Sequence, residues 1–155
     1  MLTLHRPVDG LNSSILTSIE EPVMPISITV KTHTRTDMVD ITPLVQKKIS
    51  EGATTDGICI VCVPHTTAGV TINEGADPAV CRDIMRKLNE LIPHDDSYQH
   101  AEGNSDSHIK TSIIGSSVTL PVEEGRLILG TWQKIFFCEF DGPRSRSVYL
   151  VSIRK

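Results

Sequence analysis

Aromatic residues are scarce in this chain, 4% of its 155 residues, and no stripe of lysine or arginine accompanies them. The stacking surface and basic track of a nucleic-acid module are therefore missing. Positive charge is also in deficit: fifteen bases against nineteen acids leave a net charge of −4, so no global field draws a phosphate backbone. No apolar run approaches the roughly 18 residues of a membrane span; the longest, residues 58–63, has the length of a strand. Four cysteines, Cys59, Cys62, Cys81 and Cys138, are too few for a disulfide scaffold and read as buried thiols in a reduced cytoplasm. After His5 and Arg6, residues 7–18 mix Asp, Asn and Ser with isolated aliphatics, which is no secretory leader. The expectation is a soluble, cytoplasmic protein whose partners include neither membrane nor nucleic acid.

What is present suits one core, because a chain of this length sits at the usual size of a single domain. Residues 1–24 show no sustained period and contain Pro7, Gly10 and Pro22, so they read as an extension, and a single domain occupies 25–155. Residues 26–31 alternate apolar with polar, the mark of a strand wet on one face. Thr42-Pro43 opens a helix that stops at Gly52, and Asp77-Pro78 opens the longest helix, with Val80, Ile84, Leu88 and Leu91 as its inward stripe. A third helix spans 105–114, capped by Asn104 or Ser105 and closed by Gly115, with Ile109 and Ile113 facing inward. Residues 58–63 read as a central strand covered on both faces. Beyond Ser116 four strands alternate with turn signals, an antiparallel meander. Runs of strands with helices grouped between them predict an α+β fold, antiparallel and β-rich, with two to three helices.

Four segments carry candidate chemistry. Residues 93–108 place three of the six histidines and four acids in sixteen positions. Gly103 between His100 and His108 allows the two imidazoles to face one point, as a divalent metal needs, with His65 as third ligand and Glu102 as ligand or support. Solvated loop histidines are the equally weighted alternative, and His94 reads as surface. Residues 64–75 join the apolar strand to the long helix as a polar loop. In it His65 is a candidate base, acid or ligand, Thr66 and Thr67 candidate anion donors, and Asn73 and Glu74 candidate orienting groups; turn chemistry alone explains such a loop equally well. Trp132 and Gln133 follow Gly130 at a hairpin bend and either seat a flat ring or simply pack. Arg144 and Arg146 follow Asp141-Gly142-Pro143 and suit phosphate or carboxylate, with surface ion pairs the rival reading, stronger for Arg146. Cys59 and Cys62 resemble a C-x-x-C pair, but three residues apart in a strand they point to opposite faces.

These segments, His65-Thr66-Thr67-Ala68, Asn73-Glu74, Tyr98-Gln99-His100, Gly103 to His108, Gly115-Ser116-Ser117, Gly125 to Gln133 and Glu139 to Arg144, together resemble the YjbQ-like family, known as the secondary thiamine-phosphate synthase family. The resemblance covers residues 25–153. It implies a sandwich-like α+β domain assembled as a homotrimer, with a histidine-containing metal site near the subunit boundary. It also implies a transferase that joins a pyrimidine diphosphate to a thiazole phosphate with loss of diphosphate. Such chemistry favours Mg²⁺ on carboxylates, whereas imidazoles favour Zn²⁺, so Zn²⁺ is expected over Mg²⁺. Under the resemblance Glu74, His65 and Asn73 are the catalytic candidates, and His100, His108 and His65 hold the metal. Thr66, Thr67, Asn104, Arg126, Trp132, Gln133 and Arg144 contact a small phosphorylated metabolite. A metal-dependent hydrolase of a phosphorylated or amide substrate, and a non-catalytic metal- or metabolite-binding trimer, are the rival functions.

Overall fold

The alternating residues Ile-Ser-Ile-Thr-Val-Lys form β1 (Ile26–Lys31) in the computed structural model of the chain, which describes residues 24–52 and 55–155. Ile28 and Val30 are buried while Ser27, Thr29 and Lys31 are exposed, as a period of two dictates. There follow β2 (Asp37–Asp40), α1 (Thr42–Glu51), β3 (Gly57–Cys62), β4 (Ala68–Glu74), α2 (Pro78–Leu91), α3 (Ser105–Ile114), β5 (Ser117–Glu123), β6 (Arg126–Leu127), β7 (Gln133–Glu139) and β8 (Ser145–Arg154). Of the expected extension, residues 1–23 lie outside the described residues.

All strand pairings are antiparallel and build two sheets, β1-β8-β3-β5-β6 and β2-β7-β4. Their facing surfaces close on one core: Val30, Val61, Leu120 and Leu150 from the larger sheet, Val70 and Phe137 from the smaller, Val45 and Ile49 from α1. The other face of the smaller sheet, Phe136 and Cys138 with Phe140 beyond its end, packs against Cys81, Met85 and Leu88 of α2 and Ile114 of α3. This is the expected α+β sandwich, sheet on sheet, with two helices behind the smaller sheet. Among the described residues no helix is long and apolar enough to cross a membrane.

The strand covered on both faces is β7, not β3. β3 is central, third of five strands, but it buries only alternate residues, and Ile58 is 37% exposed. In contrast, every residue from Ile135 to Phe140 is buried. A run apolar on both sides cannot sit in a sheet with one open face, so β7 leaves the expected meander for the smaller sheet, and β8 returns between β1 and β3. Flanking β7 are β2 and β4, the latter occupying most of what reads as a loop at 64–75. Neither shows clean alternation; pairing with β7 makes them strands.

The helices start where the sequence places them, with local corrections. Thr42 does not cap α1: Asp40 Oδ1 accepts the Thr42 N–H at 2.9 Å, and Thr42 Oγ1 accepts the Ile135 N–H at 2.8 Å, tying α1 to β7. Asp77 caps α2 by accepting the Ala79 N–H at 2.8 Å. The inward line of α2 is Cys81, Met85 and Leu88, displaced from the expected stripe, and Leu91 is 67% exposed. α3 is turned the other way from expectation. Asp106, Ser107, Lys110 and Thr111 are buried, whereas Ile109 and Ile113 are 39% and 62% exposed. Its outer apolar side has no contact within the described core.

These placements fix a contrast in stability. Phe137→Ala should cost about 3–5 kcal/mol through lost contacts and a cavity, and Leu91→Ala less than about 0.5 kcal/mol, both read from urea denaturation midpoints.

Candidate functional site beside a buried ion pair

Glu139 ends the apolar run of β7 with a carboxylate aimed into the sandwich, fully buried. A charge there is tolerable only with full pairing. Arg146 on β8 supplies it by a bidentate contact, Nε to Oε2 at 2.7 Å and Nη2 to Oε1 at 2.5 Å. Backbone N–H groups of Phe140 and Asp141 donate to Oε1 at 3.1 and 3.0 Å, and the Thr32 hydroxyl lies 3.2 Å from Oε2. Arg146 Nη2 also donates to Thr67 Oγ1 at 2.9 Å. Burial alone would raise the Glu139 pKa, but the Arg146 hydrogen bonds, the Asp141 N–H, the guanidinium charge and Thr32 outweigh it and hold the carboxyl below its ordinary range. One ion pair thus joins the smaller sheet, the larger sheet, the end of β1 and the β3–β4 connection. Arg146 is paired, as one sequence reading had it, but inside the protein.

The next residue on β8 orders His65. Ser147 N–H donates to His65 Nε2 at 3.1 Å, so that lone pair is taken, and the neutral ring carries its proton on Nδ1. His65 therefore presents a donor rather than the free lone pair expected of a third metal ligand. Burial, then the charge of Arg146, hold its pKa below 6.5, with Glu139 pulling the other way. Thr66 is exposed beside it, and Thr67 is buried in the ion-pair network.

The turn after β7 brings α3 to the same end. Thr67 O accepts the Phe140 N–H at 3.1 Å, while the Ser107 hydroxyl donates to Phe140 O at 2.6 Å. On the buried side of α3, Asp106 accepts from Lys110 Nζ at 2.8 Å and Arg35 Nη2 at 3.0 Å, with His94 Nδ1 3.3 Å away. Lys110, buried with it, reaches Asn89 Oδ1 at 2.8 Å. Burial pushes the Asp106 pKa up, yet the Lys110 and His94 bonds and the nearby cations lower it overall. His94, expected at the surface, is exposed yet also takes a 2.8 Å contact from Arg35. Asp141 gathers Arg144 Nη2 at 2.7 Å, Asn104 Nδ2 at 3.1 Å and Arg35 Nη1 at 3.5 Å. Among the described residues Asn104 Oδ1 is buried without a partner.

His100 and His108 meet as the sequence expects. Gly103, at φ +70°, turns the chain between them, and the rings stand edge to face with centroids 5.3 Å apart. Among the described residues of one chain no group of three or more His, Cys, Asp or Glu could hold a metal. His65 therefore does not complete a site with the pair, and two imidazoles are short of a coordination sphere. The cysteines supply no alternative: all four are free, and burial, then Cys62, pushes the Cys59 thiol up to about 11.

The remaining candidates lie elsewhere. Asn73 and Glu74 stand at the far end of β4, opposite Lys134 and Gln133, six strand steps or about 20 Å beyond Ala68. They share no site with His65 in the same chain, which removes the expected catalytic trio. Trp132 is 64% exposed at that far end, and Gln133 spends its Oε1 on the Gly130 N–H at 2.8 Å. Arg126 is exposed on the β5–β6 hairpin. Conversely the sequence points to no role for Arg35 or Lys110, and it places Asp106, Asp141 and Glu139 within its motifs without giving them one. A lone acid inside the run 135–140 is a legible signal that a buried base faces it; Asp106 and Lys110, four apart on a helix, look like any solvated pair.

A two-sheet α+β domain, with a buried Glu–Arg pair between its sheets, His65 ordered beside it and a His100–His108 ring contact at the start of α3, is the class of protein this geometry defines. Residues 26–155 match the family described as UPF0047 protein YjbQ-like, and the chain belongs to that family. It is 54% identical over 121 residues, 78% of this chain and 88% of the relative, to the UPF0047 protein MJ1081 of Methanocaldococcus jannaschii. It is 48% identical to YugU of Bacillus subtilis over 80% of this chain and 95% of that one. The solved structure of an uncharacterised YjbQ/UPF0047-family protein from Clostridium acetobutylicum superposes with a TM-score of 0.81 at 50% identity, covering 83% of this chain and 99% of its own.

The ion pair gives a pH signature. Because the Glu139 pKa is depressed on folding, its contribution is whole above the unfolded value of about 4.3 and drains as pH falls through the folded value. Wild type should lose stability below pH 5 more steeply than Glu139→Gln, which at pH 7 should be about 3–5 kcal/mol less stable because Arg146 is left buried and uncompensated. His65 should titrate below the ordinary imidazole value of 6.5 by NMR, its neutral form favoured by burial and by the charge of Arg146.

Proposed function

We propose that the chain is a metal-assisted enzyme acting on a small phosphorylated heterocycle, working as a homotrimer, with the transferase activity that the thiamine-phosphate synthase resemblance suggests. The His100–His108 pair supports this reading: two imidazoles, edge to face at 5.3 Å between centroids, would supply two donors of the type that transition metals prefer. One chain's described residues do not complete that set, so the reading requires another copy or the substrate to supply the rest. The outward Ile109 and Ile113 of α3 offer an apolar contact for such a copy next to His108. Imidazole donors favour Zn²⁺ over Mg²⁺, and a metal held there would supply Lewis acidity.

The chain's own groups would then divide the work. Arg144, fastened through Nε and Nη2 to Asp141, keeps Nη1 for a phosphate oxygen. Thr66 adds an exposed hydroxyl. His65, held neutral with its proton on Nδ1, can donate to a leaving oxygen. A metal-dependent hydrolase is the second reading, favoured by the imidazole character of the ligand pair.

Elemental analysis of the untagged protein and turnover assays test this. The reading expects about one zinc per chain, coupling of a pyrimidine diphosphate with a thiazole phosphate, and loss of both metal and turnover in His100→Ala/His108→Ala with subunit number retained. Hydrolysis of phosphate esters or amides without coupling would select the second reading. A variant that loses metal and falls apart as an assembly, in a protein with no turnover, would mark the metal as structural.

A further inference from the structure

An antiparallel sheet with one open face carries polar residues on that face. The five-stranded sheet does so only at its margins. Ser27 and Thr29 of β1 and Ser117 and Thr119 of β5 are exposed, but between them the outward residues of β3 and β8 are apolar. Across these two strands Ile58 stands opposite Ile153, Ile60 opposite Val151 and Cys62 opposite Tyr149. Ile58, Tyr149 and Ile153 are 37%, 40% and 44% exposed. An apolar centre within a hydroxyl border is the anatomy of a contact between proteins.

The charges at one end select the occupant. Toward Gly57 the face deepens into an open groove of about 1000 Å³ over Ile58, Pro121 and Ile153. Its rim is divided, acidic at Asp56 and Glu123 on the β3 and β5 side and basic at Arg154 and Lys155 where β8 ends. All four side chains are exposed, and among the described residues none of them forms an ion pair. A partner of one sign would meet like charge on one side of this groove. A second copy of the same face meets opposite charge on both. β8 and β3 are neighbours in the middle of the sheet, so a two-fold axis running along the strands between them lays β8 of each copy on β3 of the other. Arg154 and Lys155 then fall over Asp56 of the second copy, with Glu123 one strand further on, and the apolar centre falls on its own image. Such a contact is isologous and closed, with two sheets aligned about 10 Å apart as inside a sandwich.

We propose that the outward face of the five-stranded sheet pairs two copies of this chain about a two-fold axis parallel to β3 and β8, through Ile58, Ile60, Tyr149, Val151 and Ile153, with the basic rim of each copy on the acidic rim of the other. This surface is separate from the one α3 offers, so a trimer joined through α3 becomes a hexamer, and without that trimer the chain is a dimer. The charged rim lies at the Gly57 end of β3, the opposite end from His65, and the pairing depends on neither metal nor turnover.

Light scattering on the full chain, eluted at micromolar concentration, tests it. Wild type should contain an even number of subunits. Ile58→Asp/Ile153→Asp, changed only at exposed positions, should halve that number with the far-ultraviolet circular dichroism unchanged. Charge reversal then separates a second copy from other occupants and decides the matter if the aspartate variant fails to fold. Arg154→Glu/Lys155→Glu and Asp56→Lys/Glu123→Lys each set like charges face to face, so each alone should show a lower mass than wild type. Mixed in equal amounts they should pair with one another and recover the wild-type mass, in particles holding the ¹⁵N-labelled and unlabelled variants one to one. An odd subunit number in wild type, a folded aspartate variant of wild-type mass, or a mixture no heavier than its two components would overturn the proposal. The last result would assign the face to a segment of its own chain or to another protein.

Discussion

The buried contact between Glu139 and Arg146 decides how the end of this domain that carries the candidate site is built. It spans the two sheets, since Glu139 ends β7 and Arg146 belongs to β8, and it draws in Thr32 and Thr67 from two further segments. A bare carboxylate in that position would cost several kcal/mol of lost hydration. The pairing bridges β7 in one sheet and β8 in the other, so a slip of either strand would leave a buried charge without its partner. Its nearest consequence is chemical. With Arg146 fixed, the Ser147 N–H points at His65 Nε2 and selects which nitrogen of that ring bears the proton.

The second polar core, Asp106 with Lys110 and Arg35, explains the orientation of α3. Helices normally bury their apolar side. Here an ion pair whose members are both about 1% exposed in their side chains, together with the Ser107 bond to Phe140 O, fastens the polar side inward and leaves Ile109 and Ile113 outside. The same rotation sets His108 beside the 100–104 loop and its ring against His100. The close approach behind it depends on Gly69, where a Cβ would stand 2.5 Å from Gly115 O, so β4 and the end of α3 meet backbone to backbone.

Much of this was legible in the sequence, and the failures share a cause. β1, the three helix starts, the β5–β6 turn and the meeting of His100 with His108 follow from local signals: alternation, Asp77-Pro78, Gly125, Gly103. Readings that required knowing what lies opposite did not follow. The run 58–63 looks doubly buried, yet its outer side is open in the described residues; the run 135–140 is the doubly buried one and moves to the other sheet. α3 turns inward the side opposite to its apolar pattern because its burial is governed by charges, Arg35 and His94 meeting Asp106 from outside the helix. Asn73 and Glu74 looked adjacent to His65 because nine residues of loop can fold together, but nine residues of which seven form a strand cannot.

Three histidines thus differ in kind: His65 is held by the backbone N–H of Ser147 beside the ion pair, whereas His100 and His108 lie ring against ring and are the ligands of the proposed metal. Imidazole ¹⁵N spectra of the full chain at neutral pH, recorded before and after titration with Zn²⁺, test that division most directly. The expected result is a His65 ring protonated on Nδ1 and unmoved by zinc, with the His100 and His108 nitrogens shifting together. Zinc-induced shifts at His65 Nε2, or silence at His100 and His108, would contradict it.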